Sequence, residues 1–262
     1  MTEATWTRQY GRVRFNVDVL GHLVAREFRI RYRRAMLGWA WAVAEPLARM
    51  MILTFVFTQV LPLGIPNYSV YLFTGLIAWM WFAAGVRSVT TSPVDRSDLL
   101  MQPRLPRLVA PVVSALADGL DYLAALPVLL LFLLLGDGIP LTAALLPVVL
   151  IVQLMLILGI GLMLAVVHIH FRDTGLLVDV AMTLGFYLTP VFYEPESVPE
   201  RFRSVVYLNP MAHILDFHRD ILVEGRLPPV REFVTLSILA IGFFLVGLLV
   251  HERASPTFVD EL

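Results

Sequence analysis

Two carboxylates inside an apolar stretch are the side chains of this sequence that most clearly need a chemical explanation. Asp118 and Asp121 lie three residues apart, so a helix would carry both on one face. A carboxylate at the centre of a membrane helix costs about 3 kcal/mol and needs a partner or water. Two interpretations stay open: the acids line a polar passage or pair with Arg49 or Arg87, or they lie at the depth of the membrane interface.

Other patterns that could do chemistry are weak or absent. His168 and His170 stand two residues apart without a further ligand nearby, which favours interfacial histidines over a metal site. The chain has no lysine, which a P-loop needs to reach the nucleotide phosphates, and neither GxSxG nor HExxH occurs. Asp118 and Asp121 also lack the rest of the paired-aspartate motif of membrane phosphotransferases. We therefore expect no catalytic residue, no metal and no cofactor within this chain.

Aromatic side chains in the apolar stretches could stack on sugar rings, although belt and packing roles explain the same pattern. The candidates for such a path are Phe55, Tyr71, Trp79, Phe82, Phe186, Tyr187 and Tyr193.

Six long apolar stretches must position these residues. They cover 47–63, 68–86, 108–135, 141–167, 174–193 and 233–250. Most approach the ~20 residues that a helix needs to cross a bilayer. With a hydrophobic fraction of 58% and a mean hydropathy of +0.76, the chain has too little polar surface for a soluble globule. The sequence predicts an all-α polytopic membrane protein with six transmembrane helices.

The arginines orient these helices. Residues 1–34 hold eight arginines against three acids, whereas the short loops 61–67 and 136–140 hold no arginine. Arginine is concentrated on the cytoplasmic side of membrane proteins, so both termini are predicted to be cytoplasmic. The net charge of −1 says nothing about partners, and we expect no nucleic-acid partner. Arginine without lysine, together with abundant alanine, suggests a GC-rich bacterial genome.

Three segments outside the apolar stretches have patterns of their own. Residues 18–37 predict an amphipathic helix at the inner membrane face, in which Glu27 and Arg31 pair across one turn. The proline-rich inner loop 91–112 permits one brief helical turn near 94–101. This turn is either an exposed knob with two leucines that docks a partner or an ordinary connector, which the spacing alone favours. Residues 194–231 predict a helical hairpin around Asn209-Pro210 that dips into or lies on the outer leaflet. The predicted units are a cytoplasmic segment 1–38, a membrane domain 39–254 and a cytoplasmic tail 255–262.

Several short motifs follow one another along the chain. The first is RYRRAMLG at 31–38 with Trp41 and Pro46, and the second is DLLMQPRLPR at 98–107. The later ones are Phe171-Arg172-Asp173, Thr189-Pro190-Val191, and Asn209-Pro210 followed by His213 and Arg219. In this order they resemble the membrane permeases of type-2 ABC exporters, closest to the branch that exports O-antigen, capsule and teichoic acid, although Gln102 replaces the usual basic residue. The resemblance extends over roughly residues 18–254.

This resemblance implies a homodimeric permease in the bacterial plasma membrane that works with two copies of a separate ATPase subunit, which binds the ATP and Mg²⁺. The substrate would be a lipid-linked glycan, and membrane lipids surround the chain. The implied ATPase-coupling residues are Asp95, Arg96, Asp98, Leu99, Leu100, Arg104 and Arg107. Arg172 and Asp173 would form a cytoplasmic charge pair, and Asn209, Pro210, His213 and Arg219 an outer gate.

Three other functions remain as alternatives. A type-2 ABC exporter of a drug or small amphiphile is the nearest, and the amino-terminal motif favours the glycan. A secondary transporter predicts inverted repeats with broken helices in matching halves, and no convincing internal symmetry is visible. A membrane enzyme lacks a site.

Overall fold

The computed structural model describes residues 3–100 and 105–255, with side chains from residue 18 onward except at 98 and 100. Ten α-helices make up the described ranges, with no strand among them. They are α1 Glu3–Tyr32, α2 Trp41–Phe55, α3 Tyr68–Asp95, α4 Ser97–Leu100, α5 Val109–Leu135, α6 Leu146–His170, α7 Thr174–Leu188, α8 Glu200–Val206, α9 Pro210–Leu222 and α10 Val230–Ala254.

Five helical stretches are long and apolar enough to cross a membrane, within the part of the chain that the structure describes. They are Gly38–Val60, Tyr68–Asp95, Val109–Leu135, Leu141–His170 and Val230–Ala254. The first begins at Gly38 rather than at residue 47, because a 3₁₀ turn at Gly38–Ala40 leads directly into α2 and a π turn at Val56–Val60 extends it. The chain is a multi-pass, all-helical membrane protein.

The fifth predicted apolar stretch forms a shorter helix than expected. α7 ends at Leu188 and is 15 residues long, or about 22 Å at 1.5 Å per residue, whereas the prediction extended to residue 193. Thr189 is extended (φ −92°, ψ 141°) because it precedes Pro190, and proline disfavours the helical region for the residue before it. The chain then continues in a non-helical conformation along α3, where Tyr68 Oη donates to the Phe192 carbonyl at 2.9 Å.

Contacts between distant residues identify the two ends of the bundle. At one end Arg96 bridges Glu27 of α1 at 2.8 Å, and Arg107 Nη1 donates to Ser255 Oγ at 3.2 Å. At the other end Thr142 Oγ1 donates to the Ile221 carbonyl of α9 at 2.8 Å. The amino-terminal helix, the inner loop and the end of α10 therefore lie together, and α9 lies at the opposite end.

α3 is the central helix, and it packs against α2, α5, α6, α7 and α9. Leu72, Phe73 and Leu76 on α3 are completely buried. α6 and α10 approach each other closely, since a Cβ on Gly247 would lie 2.5 Å from the Gly159 carbonyl oxygen. Small residues that allow backbones to approach are the usual device for helix association in membranes.

The hairpin predicted around Asn209-Pro210 consists of α8 and α9. Asn209 caps α9, because its side chain accepts a hydrogen bond from the Met211 amide at 3.0 Å. α9 does not lie on a surface: it packs against α3, α6 and α10. Asp220 of α9 is buried and accepts a hydrogen bond from Arg226 Nε at 2.8 Å.

α1 is an amphipathic helix, as predicted, but it ends at Tyr32 rather than at residue 37. Its exposed face carries His22, Arg26 and Arg29. The opposite face packs against α5.

Candidate functional site

A cavity of about 650 Å³ lies between α1, α2, α3, α5 and α7. Charged side chains supply much of its wall: Arg31, Arg49, Arg87, Glu45, Asp118, Asp121 and Asp179. Aromatic side chains supply another part: Tyr32, Trp79, Trp81, Tyr122, Phe186 and Tyr187. A cavity of this composition offers both flat apolar faces and charged groups to a ligand.

The two intramembrane acids share one cation in the wall of this cavity. Arg31 Nη2 lies 2.6 Å from Asp118 Oδ1, and Arg31 Nη1 lies 2.5 Å from Asp121 Oδ2. The prediction that the acids pair with Arg49 or Arg87 is wrong, because those arginines have other partners. Arg49 binds Glu45 one turn away at 2.7 Å, and Arg87 donates to Asp179 of α7.

Neighbouring hydroxyls complete the environment of the acids. Tyr32 Oη donates to Asp121 Oδ1 at 2.8 Å, and Ser88 Oγ donates to Asp118 Oδ2. Arg31 precedes the first span. Burial acts to lower its pKa, but its pairing with Asp118 and Asp121 outweighs burial and raises it. Arg31 therefore stays cationic and neutralises carboxylates that would otherwise be unpaired near hydrocarbon.

The predicted glycan-path aromatics separate into two groups. Trp79, Phe186 and Tyr187 line the cavity, and Phe82 packs against Trp79 with ring centroids 5.6 Å apart. Tyr71 and Tyr193 lie at the α9 end, where Tyr71 Oη donates to the Tyr193 carbonyl at 2.9 Å. Phe55 is 61% exposed on α2, outside the cavity lining.

Sequence reasoning did not single out Asp179 or Tyr122, both of which line the cavity. Asp179 is the only charged residue between Thr174 and Tyr193, and a lone acid in an apolar stretch is a usable signal. Tyr122 follows Asp121 directly and has no distinguishing pattern.

The predicted outer gate is centred on a buried arginine. Arg219 of α9 is 3% exposed, and its Nη2 donates to the carbonyls of Pro190 and Val191 at 2.8 and 2.9 Å. Its guanidinium carbon lies 3.7 Å from the ring centroid of Tyr71. Because α7 ends before Pro190, these carbonyls have left the helical pattern, and Arg219 supplies donors for them.

The other predicted gate residues tie the same segment to α8 and α9. Asn209 Nδ2 donates to Thr189 Oγ1 at 2.7 Å, and Pro210 is the first residue of α9. His213 Nε2 is hydrogen-bonded to the Tyr207 carbonyl at 3.0 Å. The four residues thus hold the end of α7, the end of α8 and the start of α9 together.

The predicted coupling residues are only partly available to a partner. Asp95 is exposed, and Arg107 binds Ser255. The expectation of an exposed knob is wrong for Leu99, which is buried against Ala110, with Leu23 of α1 packed on the same cluster. The side chains of Asp98 and Leu100, and all of Arg104, lie outside the described residues.

Glu27 does not pair with Arg31, contrary to the prediction. Its Oε1 binds Arg96 Nη2 at 2.8 Å, while Arg96 Nη1 also donates to Ser114 Oγ on α5. The reason is that Glu27 and Arg31 both face α5 and its neighbours, where each finds a partner outside its own helix. Arg172 and Asp173 are both exposed in the turn between α6 and α7.

Residues 19–223 match the family described as ABC-2 type transporter. The chain belongs to this family. The match extends from α1 through α9, so this ABC-2 transporter chain carries both the cavity and the Arg219 cluster within the family region.

Full-length relatives of this ABC-2 transporter chain are also known. It is 30% identical to an O-antigen export system permease protein of Klebsiella pneumoniae, over 94% of this chain and 95% of the relative. It is 30% identical to the O-antigen export system permease protein of Myxococcus xanthus, over 92% and 94%. The polysialic acid transport protein KpsM of Escherichia coli is 27% identical, over 87% and 88%.

Proposed function

We propose that this chain is the membrane permease of an ABC exporter that moves a lipid-linked cell-envelope polysaccharide across the bacterial plasma membrane. The observation that carries the proposal is the end-to-end similarity to permeases named for O-antigen export. The substrate class includes O-antigen, capsule and teichoic acid polymers. A drug or small amphiphile is less favoured, because the relatives described above are named for polysaccharides.

The cavity supports the proposal chemically. Sugar rings present flat C–H faces that stack on aromatic rings, and Trp79, Phe186 and Tyr187 offer such faces beside one another. Sugar hydroxyls are hydrogen-bonded by charged groups such as those of Arg49 and Glu45, which also line the cavity. Movement of the polymer would proceed from the arginine-rich end of the bundle toward the α9 end.

A separate ATPase subunit completes this exporter. The chain has no lysine and hence no P-loop of its own, so the ATP and Mg²⁺ are bound by the partner. Two copies of the permease and two of the ATPase form the working assembly, with the inner loop facing the ATPase. Both termini of the permease are cytoplasmic, consistent with the arginines of 1–34.

Depletion of the chain in its own cells tests this function. We expect lipid-linked polysaccharide to accumulate inside while surface polysaccharide disappears, and a plasmid copy of the gene to reverse both changes. Unchanged polysaccharide in both pools, with increased sensitivity to a toxic amphiphile, would contradict the proposal and favour the drug exporter.

A further inference from the structure

Two ion pairs in the cavity wall occupy arginines that would otherwise face a ligand. Arg49 lies 2.7 Å from Glu45, one turn away on α2, and Arg87 of α3 binds Asp179 of α7. These four side chains are 41% to 57% exposed, so a ligand in the cavity meets them as pairs rather than as single charges. An arginine that already holds a carboxylate attracts a second anion much less strongly.

The third arginine of the cavity wall faces more negative charge than it can balance. Arg31 lies 2.6 Å from Asp118 and 2.5 Å from Asp121, so one cation serves two carboxylates. Among the described residues that line the cavity, three arginines stand against four acids, and no histidine adds to them. The lining therefore has a formal net charge of −1 and offers no unpaired cation.

The outer segment at the α9 end has the same balance of charge. Residues 194–231 hold five arginines and six acids. Arg219 donates to two main-chain carbonyls, and Arg226 binds Asp220 and Glu224 at 2.8 and 3.0 Å. The surplus of arginine in the chain lies in residues 1–34, of which only Arg31 lines the cavity.

This balance disfavours a polyanion and suits a neutral polymer. Charged side chains along a passage select the charge of what passes. A carboxylate or phosphate in each repeat unit would either lie beside the acids of the wall or break an existing ion pair, and both are costly in a site partly withdrawn from water. A neutral sugar can hydrogen-bond to the ion pairs as they stand and stack on Trp79, Phe186 and Tyr187.

We propose that the cavity selects polysaccharides whose repeat units carry no net negative charge, with Glu45 and Asp179 as specificity-determining residues. Each of these acids holds an arginine that could otherwise bind an anionic repeat unit. The inference rests on the proposed function and narrows it, because chains with a phosphate or carboxylate in every repeat unit, teichoic acids among them, fall outside the selected class.

The test offers two polymers to the same permease–ATPase complex in liposomes. One is a neutral polymannose and the other is polysialic acid, with equal chain length and the same lipid anchor. Each polymer that reaches the face opposite the ATPase is measured with its own impermeant lectin or antibody. The unchanged chain should export polymannose about tenfold faster than polysialic acid. The ratio of the two rates in one liposome preparation does not depend on how much permease is folded and inserted.

Removing the two acids should relax the selection. Glu45→Gln with Asp179→Asn leaves Arg49 and Arg87 unpaired and changes the formal charge of the lining from −1 to +1. The export of polysialic acid relative to polymannose should rise about tenfold. Glu45→Gln alone breaks only an exposed pair within one helix, which contributes little to stability, and should raise the same ratio about threefold.

The matched control removes two acids outside the cavity. Asp137→Asn with Glu200→Gln changes the net charge of the chain by the same amount at two exposed positions, and it should leave the ratio unchanged. A shift in the control as large as in the cavity variant would show that total charge, not the cavity, sets the preference.

The outcomes separate the selection from the proposed function. Equal export of both polymers by the unchanged chain, or an unaltered ratio in the double cavity variant, would overturn the selection while polysaccharide export stands. Export of neither polymer, with ATP hydrolysis continuing, would contradict the proposed function and the selection with it.

Discussion

Arg219 is buried, whereas the Arg31 side chain is 31% exposed, and the two arginines are held by different kinds of acceptor. Arg219 donates to the main-chain carbonyls of Pro190 and Val191, which lie just beyond the end of α7. Arg31 binds two carboxylates on a neighbouring helix. Arg219 therefore holds the segment after α7 against α9, whereas Arg31 joins α1 to α5 through an ion pair.

At the scale of single residues, the Arg219 contact predicts a coupled pair of substitutions. A Cβ on Gly75 would lie 2.8 Å from Arg219 Nη2, so Gly75 makes room for the guanidinium. Arg219→Ala should lower the melting temperature in detergent by about 5–10 °C, because two carbonyls lose their donor and a void forms. Gly75→Ala should also destabilise the chain, but it should add little in the presence of Arg219→Ala.

The matched control for this pair is Arg231→Ala, which removes an exposed arginine near the start of α10 and should leave the melting temperature unchanged. Fully additive effects of Gly75→Ala and Arg219→Ala would show that the two residues do not share one contact.

The aromatic residues allow a second prediction at this scale. Tyr187 and Phe55 are about equally exposed, at 62% and 61%, but only Tyr187 lines the cavity. If sugar rings stack in the cavity, Tyr187→Ala should lower polysaccharide export about fivefold, and Phe55→Ala should not. Export measured as surface polysaccharide per amount of membrane-inserted permease distinguishes the two. Equal effects of both substitutions would argue against stacking at this wall.

The sequence identified Asp118 and Asp121 as residues that need a partner, but not which partner. Arg87 is nearer in the chain, yet it binds Asp179 of α7, and Arg31 is 87 residues away from Asp118. Tertiary packing brings both Arg31 and Arg87 to the cavity wall, and the spacing of residues along the chain does not show which of them binds the two acids. For the same reason the sequence predicts a Glu27–Arg31 pair, whereas the structure pairs Glu27 with Arg96.

At the scale of helices, hydropathy predicts the ends of a helix well where no proline breaks the helix within the apolar stretch. The start of α3 and the end of α5 lie at the predicted residues 68 and 135. α7 is shorter because Pro190 ends it, a local effect that an average over apolar residues does not register. The sequence does not predict the burial of Leu99, because α4 has only one turn. A single turn is too short for a periodic pattern to show which of its faces is buried.

The contact between α6 and α10 gives a prediction for helix packing. Gly247→Ala places a methyl group 2.5 Å from the Gly159 carbonyl oxygen, so the helices must separate. We expect the melting temperature to fall by about 3–8 °C, since separation forfeits packing along the whole contact.

Gly242 on the same helix provides the control, because a Cβ there would meet nothing within 4 Å. Gly242→Ala should be neutral or slightly stabilising, as alanine is the better helix former. A similar loss from both substitutions would mean that the close approach of α6 and α10 does not matter for stability.

At the scale of the whole molecule, polar groups are concentrated in a few places within an apolar bundle. The charged cavity is bounded by α1 and the middle of α3, between residues 76 and 87, and the Arg219 cluster lies toward the α9 end. The two sites are connected through α3, which contributes residues to both, and through α7, whose following segment contacts Arg219. This arrangement suits a transporter whose substrate enters at one end and leaves at the other.

Reconstituted transport tests the central claim most directly. The permease and its ATPase partner would be placed in liposomes with lipid-linked polysaccharide from cells depleted of the permease. Polymer reaching the face opposite the ATPase would be measured with an impermeant lectin. We predict an ATP-dependent rise in lectin-accessible polymer that a non-hydrolysable ATP analogue does not produce. Active ATP hydrolysis without any change in lectin accessibility would contradict polysaccharide export by this chain.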